Sequence, residues 1–275
     1  MDIYCELTDR EKMTKIAEDQ LVDFNVMNRT KKMDLVLFSD AIEHAVKIHR
    51  VITTEYGHAL LVGVGGSGRK SLTELATFFA QFTIVHLEIP KGYNFAMWRE
   101  DLQVNLYKEL AIEIKNMIFF FSDTQLVDEA FLEDINNILN GGEVPNLLTE
   151  GEIFQTILEF VKEANKNDAV FKEHEAENAW VYNKYITAAK QSLHLVLAFS
   201  YIGEDFKRRL RMFPGLVNCC TIDWFLPWPR EALKSVAQYF LSSVDDLPQI
   251  EGVVEICVDM QERVHKLSQR FLTEL

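Results

Sequence analysis

The chain lacks any apolar run long enough to cross a bilayer; the longest, residues 117–121 and 193–199, fall far short. Cysteine is sparse. Cys5, Cys219, Cys220 and Cys257 show no paired metal-ligand spacing, which speaks against a structural zinc, and the adjacent Cys219 and Cys220 are expected as thiols in a buried strand. Cations are in deficit: 28 Lys and Arg against 42 Asp and Glu leave a net charge of −14, which argues against a nucleic-acid backbone or an anionic membrane as partner. The opening MDIYCELTDREK has acids and no apolar segment, so no secretory signal is expected. What is present is ordinary for a globular chain: 48% hydrophobic and 25% charged residues exclude disorder. With 275 residues, one domain with a small appendage is expected, soluble and intracellular.

Apolar periodicity predicts a helix over residues 8–24. The stretch LVLF (35–38) leads to Ser39, a candidate N-cap, and a helix through His49. Strands are predicted at 59–64, 82–89, 116–122, 192–199 and 217–225. Between them lie helices beginning at Ser71, at 97–110 and at 128–139, and a long helical stretch over about 150–191. Alternating strands and helices predict an α/β fold with a parallel sheet covered on both faces, and the unbroken apolar run NMIFFFS marks its third strand as central. After Pro227 and Pro229 the pattern is helical throughout, over 231–243 and 252–275, which sets a boundary between 1–227 and 228–275.

The first strand runs into Gly63-Val64-Gly65-Gly66-Ser67-Gly68-Arg69-Lys70-Ser71. Such a loop turns backbone N–H groups and a helix N-terminus toward an anion, and so can cradle a polyphosphate. Against G-x-x-x-x-G-K-[ST], Gly63 and Gly68 fit, Arg69 stands at the lysine position, and Lys70 stands at the hydroxyl position, with Ser71 one residue too late. The spacing alone leaves two readings: a phosphate site, or a strand–helix turn that binds nothing. Arg69 can supply charge to phosphate; the missing hydroxyl weakens a direct magnesium ligand. The third strand runs into Asp123, placed either to hold magnesium through water or to cap a turn. Thr124 follows it, and a hydroxyl has no pKa suited to a general base. Asp128 and Glu129 are expected to face solvent or to cap the next helix. Residues 206–211 (FKRRLR) form a basic cluster, either for an anion or a solvated face.

The loop, NMIFFFSDTQ, FLEDINNILNGGEVPNLL (131–148), residues 206–214 and NCCTIDWFLPWPREAL (218–233) together resemble the fourth AAA+ module of dynein heavy chains, of the axonemal type, over essentially the whole chain. The resemblance implies a P-loop AAA+ module: a five-stranded parallel sheet flanked by helices in a large nucleotide-binding subdomain (1–227), and a small C-terminal helical lid (228–275) ending near the start of the stalk. It implies ATP or ADP with Mg2+ as cofactors. By position it assigns Gly63, Gly65, Gly66, Ser67, Gly68, Arg69, Lys70 and Ser71 to the Walker A loop, Asp123 to Walker B, and Ser200 to sensor 1. Val36 and Leu37 would flank the adenine, and Pro229 and Arg230 open the lid, Arg230 being the one sensor-2 candidate. Arg209 and Arg211 fall where arginine fingers would face the preceding module, solvent-exposed when the module is alone. Thr124 stands at the usual catalytic glutamate, Ser200 where Asn is usual and Tyr201 where proline is frequent. The implied function is a regulatory nucleotide-binding module with weak or absent hydrolysis. Its partners are neighbouring AAA+ modules of the same heavy chain, with stalk and microtubule reached only indirectly, in cytoplasm, cytoskeleton and the ciliary or flagellar axoneme. The alternatives are an active ATPase, with Gln125 or a partner's group positioning water, and a scaffold with an empty loop.

Overall fold

Apolar strands and amphipathic helices alternate along the chain in a computed structural model, which describes residues 9–112, 115–148, 151–244 and 248–274. In chain order the elements are α1 (Arg10–Met27), α2 (Ser39–Ile52), β1 (His58–Gly63), α3 (Arg69–Phe79), β2 (Thr83–His86), α4 (Phe95–Asp101) and α5 (Glu109–Ile112). There follow β3 (Met117–Ser122), α6 (Ala130–Gly141), α7 (Glu152–Ala164), α8 (Ala169–His174), α9 (Asn178–Ser192) and β4 (Leu193–Phe199). The chain continues with α10 (Glu204–Met212), α11 (Gly215–Asn218), β5 (Cys220–Phe225), α12 (Arg230–Ser242) and α13 (Ile250–Glu274). The ends expected at residues 8, 150 and 275, and Cys5, lie outside the described residues.

All five strands are parallel, in the order β2-β3-β4-β1-β5. The expected five-stranded α/β sheet is therefore present. β1 and β4 are buried along their whole length and β3 is buried up to Phe121, because each of these strands has a neighbour on both sides and helices over both faces. Edge strand β5 is more open, and its buried Asp223 bonds His44 Nδ1 of α2 at 2.6 Å while Phe225 stacks on the same imidazole at 3.9 Å.

Three expectations are corrected. The stretch over 150–191 is three helices, because Asn165 closes α7 and Asp168 starts α8 by accepting from the Val170 and Phe171 amides. The helix over 97–110 changes pitch: Leu102–Lys108 is a π-helix, and the Tyr107 carbonyl accepts the Tyr185 hydroxyl at 2.5 Å. Cys219 closes α11 and only Cys220 enters β5; both are half-buried thiols, and burial with the neighbouring Cys219 pushes Cys220 up to about 12.

The core between sheet and helices centres on Trp98, fully buried, stacked on Phe131 at 4.5 Å and edge-on to Phe121 of β3 at 5.4 Å. Its indole N–H donates to Asp134 of α6 (3.1 Å), whose other oxygen takes Arg99 Nη2 (3.1 Å), so the buried carboxylate is paired. At the opposite, N-terminal end of the sheet, His58 Nδ1 accepts the Leu195 amide at 3.0 Å and His194 Nδ1 meets the Gly57 carbonyl at 2.8 Å.

By contact the chain forms two units. Glu43–Phe225 holds the sheet. The other unit joins the described residues up to Ile42 with those from Leu226 on, among them α1, α12 and α13. Within it the Phe38 ring lies edge-on to Trp228 at 5.3 Å. The sequence boundary at 227/228 leaves the N-terminal segment in the large part, whereas by contact that segment groups with the C-terminal helices.

Candidate functional site

In a parallel sheet, ligands bind beyond the carboxyl ends of the strands. Here β1, β4 and β3 end side by side, with Val62 opposite Phe199 and Ser122 opposite Ala198. The phosphate-loop residues, Asp123, Thr124 and Ser200 are therefore gathered at one edge. The loop fits its glycines. A Cβ on Gly63 would lie 2.6 Å from Phe225 Cβ, and Gly66 and Gly68 hold φ of +77° and +89°, which L side chains rarely adopt.

Two polar groups in the loop lack partners among the described residues. Ser67 is buried and its Oγ makes no hydrogen bond; Arg69 donates Nη2 to the Val64 carbonyl at 3.2 Å while its buried Nη1 bonds to nothing. Unpaired buried donors are costly, by about 1–3 kcal/mol each. Burial lowers the Arg69 pKa from its ordinary value and the charge of Asp123 opposes that shift. Two orphaned donors beside a helix N-terminus fit a phosphate group. A divalent cation is served poorly, because Lys70, at the position of the ligating hydroxyl, is a donor with no lone pair to give. Lys70 is exposed and Ser71 half-buried.

Asp123 opens a 3-10 turn, Asp123–Gln125, and its Oδ2 accepts the Ser200 amide at 2.6 Å, tying β3 to β4. The Ser200 hydroxyl accepts the Ile202 amide at 3.3 Å. Thr124 Oγ1 bonds Ser122 Oγ at 2.7 Å. Gln125, considered for orienting water, has both ends of its amide on backbone: Oε1 accepts the Ser122 amide (2.8 Å) and Nε2 donates to the Leu87 carbonyl (2.7 Å). Sequence reasoning missed this pair as a structural device. The signal was there: Ser-x-x-Gln over 122–125 is a capping box.

The arginines differ from each other. Arg209 is 17% exposed and gives Nε and Nη2 to Glu129 Oε1, each at 3.0 Å; Arg208 joins the same oxygen at 3.0 Å. Glu129 is thus held by two cations instead of facing solvent, and Arg209 is covered; only Arg211 is exposed as expected. Asp128 is exposed and its Oδ1 accepts the Ala130 amide at 2.9 Å, one residue ahead of Glu129, which holds the N-cap position of α6 without a side-chain cap bond. Arg209→Ala is expected to destabilise the fold by about 1 kcal/mol, since a partly buried charge pair is cut, while Arg211→Ala stays within about 0.5 kcal/mol. Urea unfolding of the two variants checks this; equal effects would contradict the pairing.

Val36, Leu37, Pro229 and Arg230 belong to the other unit. There Pro229 precedes α12, accepting the Leu233 amide at 3.1 Å, and Val36 accepts the Phe38 amide at 3.2 Å. Leu37 is half-buried. The Arg230 guanidinium is bound on α13, to Glu262 (2.7 Å), Glu255 (2.7 Å) and Asp259 (2.9 Å).

A family model described as the P-loop containing dynein motor region D4 matches residues 33–275. Among curated relatives, dynein axonemal heavy chain 6 of Homo sapiens is 46% identical over 99% of this chain, and dynein axonemal heavy chain 1 of Homo sapiens 41% over 98%. Dynein-1-beta heavy chain, flagellar inner arm I1 complex, of Chlamydomonas reinhardtii is 43% identical over 93%. The chain spans about 6% of the length of each of these relatives. A phosphate loop between β1 and α3, Asp123 at the end of β3, and a match through all five strands and both C-terminal helices make this chain a member of the P-loop dynein motor region D4 family.

Proposed function

We propose that the chain is a nucleotide-holding module of an axonemal dynein heavy chain in the cilium or flagellum. It binds ATP or ADP, hydrolyses weakly or not at all, and modulates the motor through neighbouring modules of the same chain; stalk and microtubule are reached only through them. The observation that carries this reading is the pair of orphaned buried donors, Ser67 Oγ and Arg69 Nη1, in a glycine loop at the head of α3. Weak hydrolysis is supported by the two residues after Asp123. Thr124 is a hydroxyl bonded to Ser122, and the Gln125 amide is bound to backbone, so neither supplies a base for water. The loop binds and orients phosphate; proton removal has no resident group at these two positions.

Calorimetry and turnover on the 275-residue chain test this. ADP or ATP should bind, and Arg69→Ala should weaken binding by about 1–3 kcal/mol through loss of a charged donor. Turnover should stay below roughly 0.1 s⁻¹, about a hundredfold under a typical enzyme. Affinity unchanged in Arg69→Ala would sink the loop assignment, and brisk turnover would sink the regulatory reading.

A further inference from the structure

We propose that this phosphate loop binds its nucleotide without a divalent cation, the Arg69 guanidinium supplying the positive charge that screens the Asp123 carboxylate from the phosphates. The inference rests on the nucleotide reading and departs from the magnesium expected at Asp123.

A carboxylate at the end of β3 repels a polyphosphate held on the neighbouring loop. Loops with lysine and a hydroxyl meet that repulsion with magnesium, ligated by the hydroxyl and held near the acid. Here the hydroxyl position carries Lys70, whose ammonium has three donors and no acceptor. A metal at that place would lose a ligand and face two cations, the anchored Arg69 and the exposed Lys70. Magnesium demands a near-ideal octahedron of oxygens, so a missing ligand beside two like charges is a poor site. Asp123 is itself partly committed, with Oδ2 on the Ser200 amide at 2.6 Å.

Arg69 has the properties the metal would otherwise bring. It stays charged at neutral pH, and its planar fork of five N–H donors can serve two acceptors at once, where lysine is a point charge. One nitrogen, Nη2, is anchored on the Val64 carbonyl; the other, Nη1, is buried with no partner. Ser67, 7% exposed, adds a second buried group to the same loop, a hydroxyl without a partner among the described residues. Both wait for an acceptor, and a phosphate oxygen is one.

The test is ADP affinity of the 275-residue chain by calorimetry, in saturating magnesium chloride and in excess EDTA. The two dissociation constants are expected to agree within about threefold. A loss of about tenfold or more in EDTA overturns the inference and leaves nucleotide binding standing. No binding in either buffer overturns the nucleotide reading and this inference with it. Asp123→Asn keeps an acceptor for the Ser200 amide and removes the charge. Without a metal to hold, it should bind ADP as tightly as the parent or more tightly in both buffers; weakening of about tenfold confined to magnesium buffer would mean Asp123 does hold a cation.

Discussion

Trp98→Ala is expected to destabilise the chain by about 3–5 kcal/mol, the range for emptying a fully buried tryptophan site. Trp98 has no exposed surface and no space to collapse into, because Phe131 covers one face of the indole and Phe121 meets it edge-on. The loss has a polar component as well: Asp134, 2% exposed, forfeits the indole N–H and keeps only Arg99. Trp98→Phe separates the two contributions. It retains a stacking ring and should cost about 1–2 kcal/mol, chiefly for the lost indole hydrogen bond, since Asp134 Oδ2 is left with Arg99 Nε alone at 3.4 Å. Urea unfolding with an unchanged m-value would show that both act on stability alone. A cost for Trp98→Ala below about 1 kcal/mol would mean the pocket is looser than these ring contacts require.

Acid should destabilise the fold through His58. Burial, with His194 and Lys190 nearby, lowers its pKa from 6.5 to about 4, and burial lowers His194 in the same direction. Between pH 6.5 and 4 the unfolded chain therefore binds more protons than the folded one, so stability rises with pH across that window. The contribution is flat above the upper limit and about 3 kcal/mol is lost by the lower one, at about 1.36 kcal/mol per unit. His58→Asn places an amide oxygen where Nδ1 accepts the Leu195 amide, and it cannot titrate. Stability measured against pH should be flatter in this variant by that amount. Identical profiles would show that His58 is not the group involved.

Legibility in the sequence depended on how strongly each signal was written in side-chain chemistry. The strands NMIFFFS and LHLVLAF are apolar at every position but the polar ends and one histidine, and only a two-sided interior accommodates that. Gly63, Gly66 and Gly68 were legible as a loop because each meets a backbone need that no other residue meets as easily. The breaks within residues 150–191 were not legible. At the first break the Asp168 side chain opens α8 by capping it, and at the second Glu177 precedes α9 with no side-chain cap, while α7 and α9 pack on the core. The covering of Arg209 was hidden for a related reason: Glu129 is remote in sequence, and nothing in FKRRLR names its partner. Gln125 entered the sequence reading only as one alternative for positioning water; its structural part, an amide bound at both ends to backbone, depends on Leu87, which is remote in sequence.

The Gln125 bridge has a consequence for kinetics. By linking the Ser122 amide to the Leu87 carbonyl, it extends the pairing of β2 and β3 by one rung made from a side chain, just where both strands end. The Asp123–Ser200 bond does the same between β3 and β4. These segments surrender their conformational freedom when the chain folds, so none remains to be surrendered when a ligand arrives. A preorganised floor of this kind lowers the ordering penalty of association and favours rapid capture. On the proposed reading, slow steps in ligand exchange would belong to the glycine loop and the Arg69 side chain, whose unsatisfied donors are what a departing anion would leave behind.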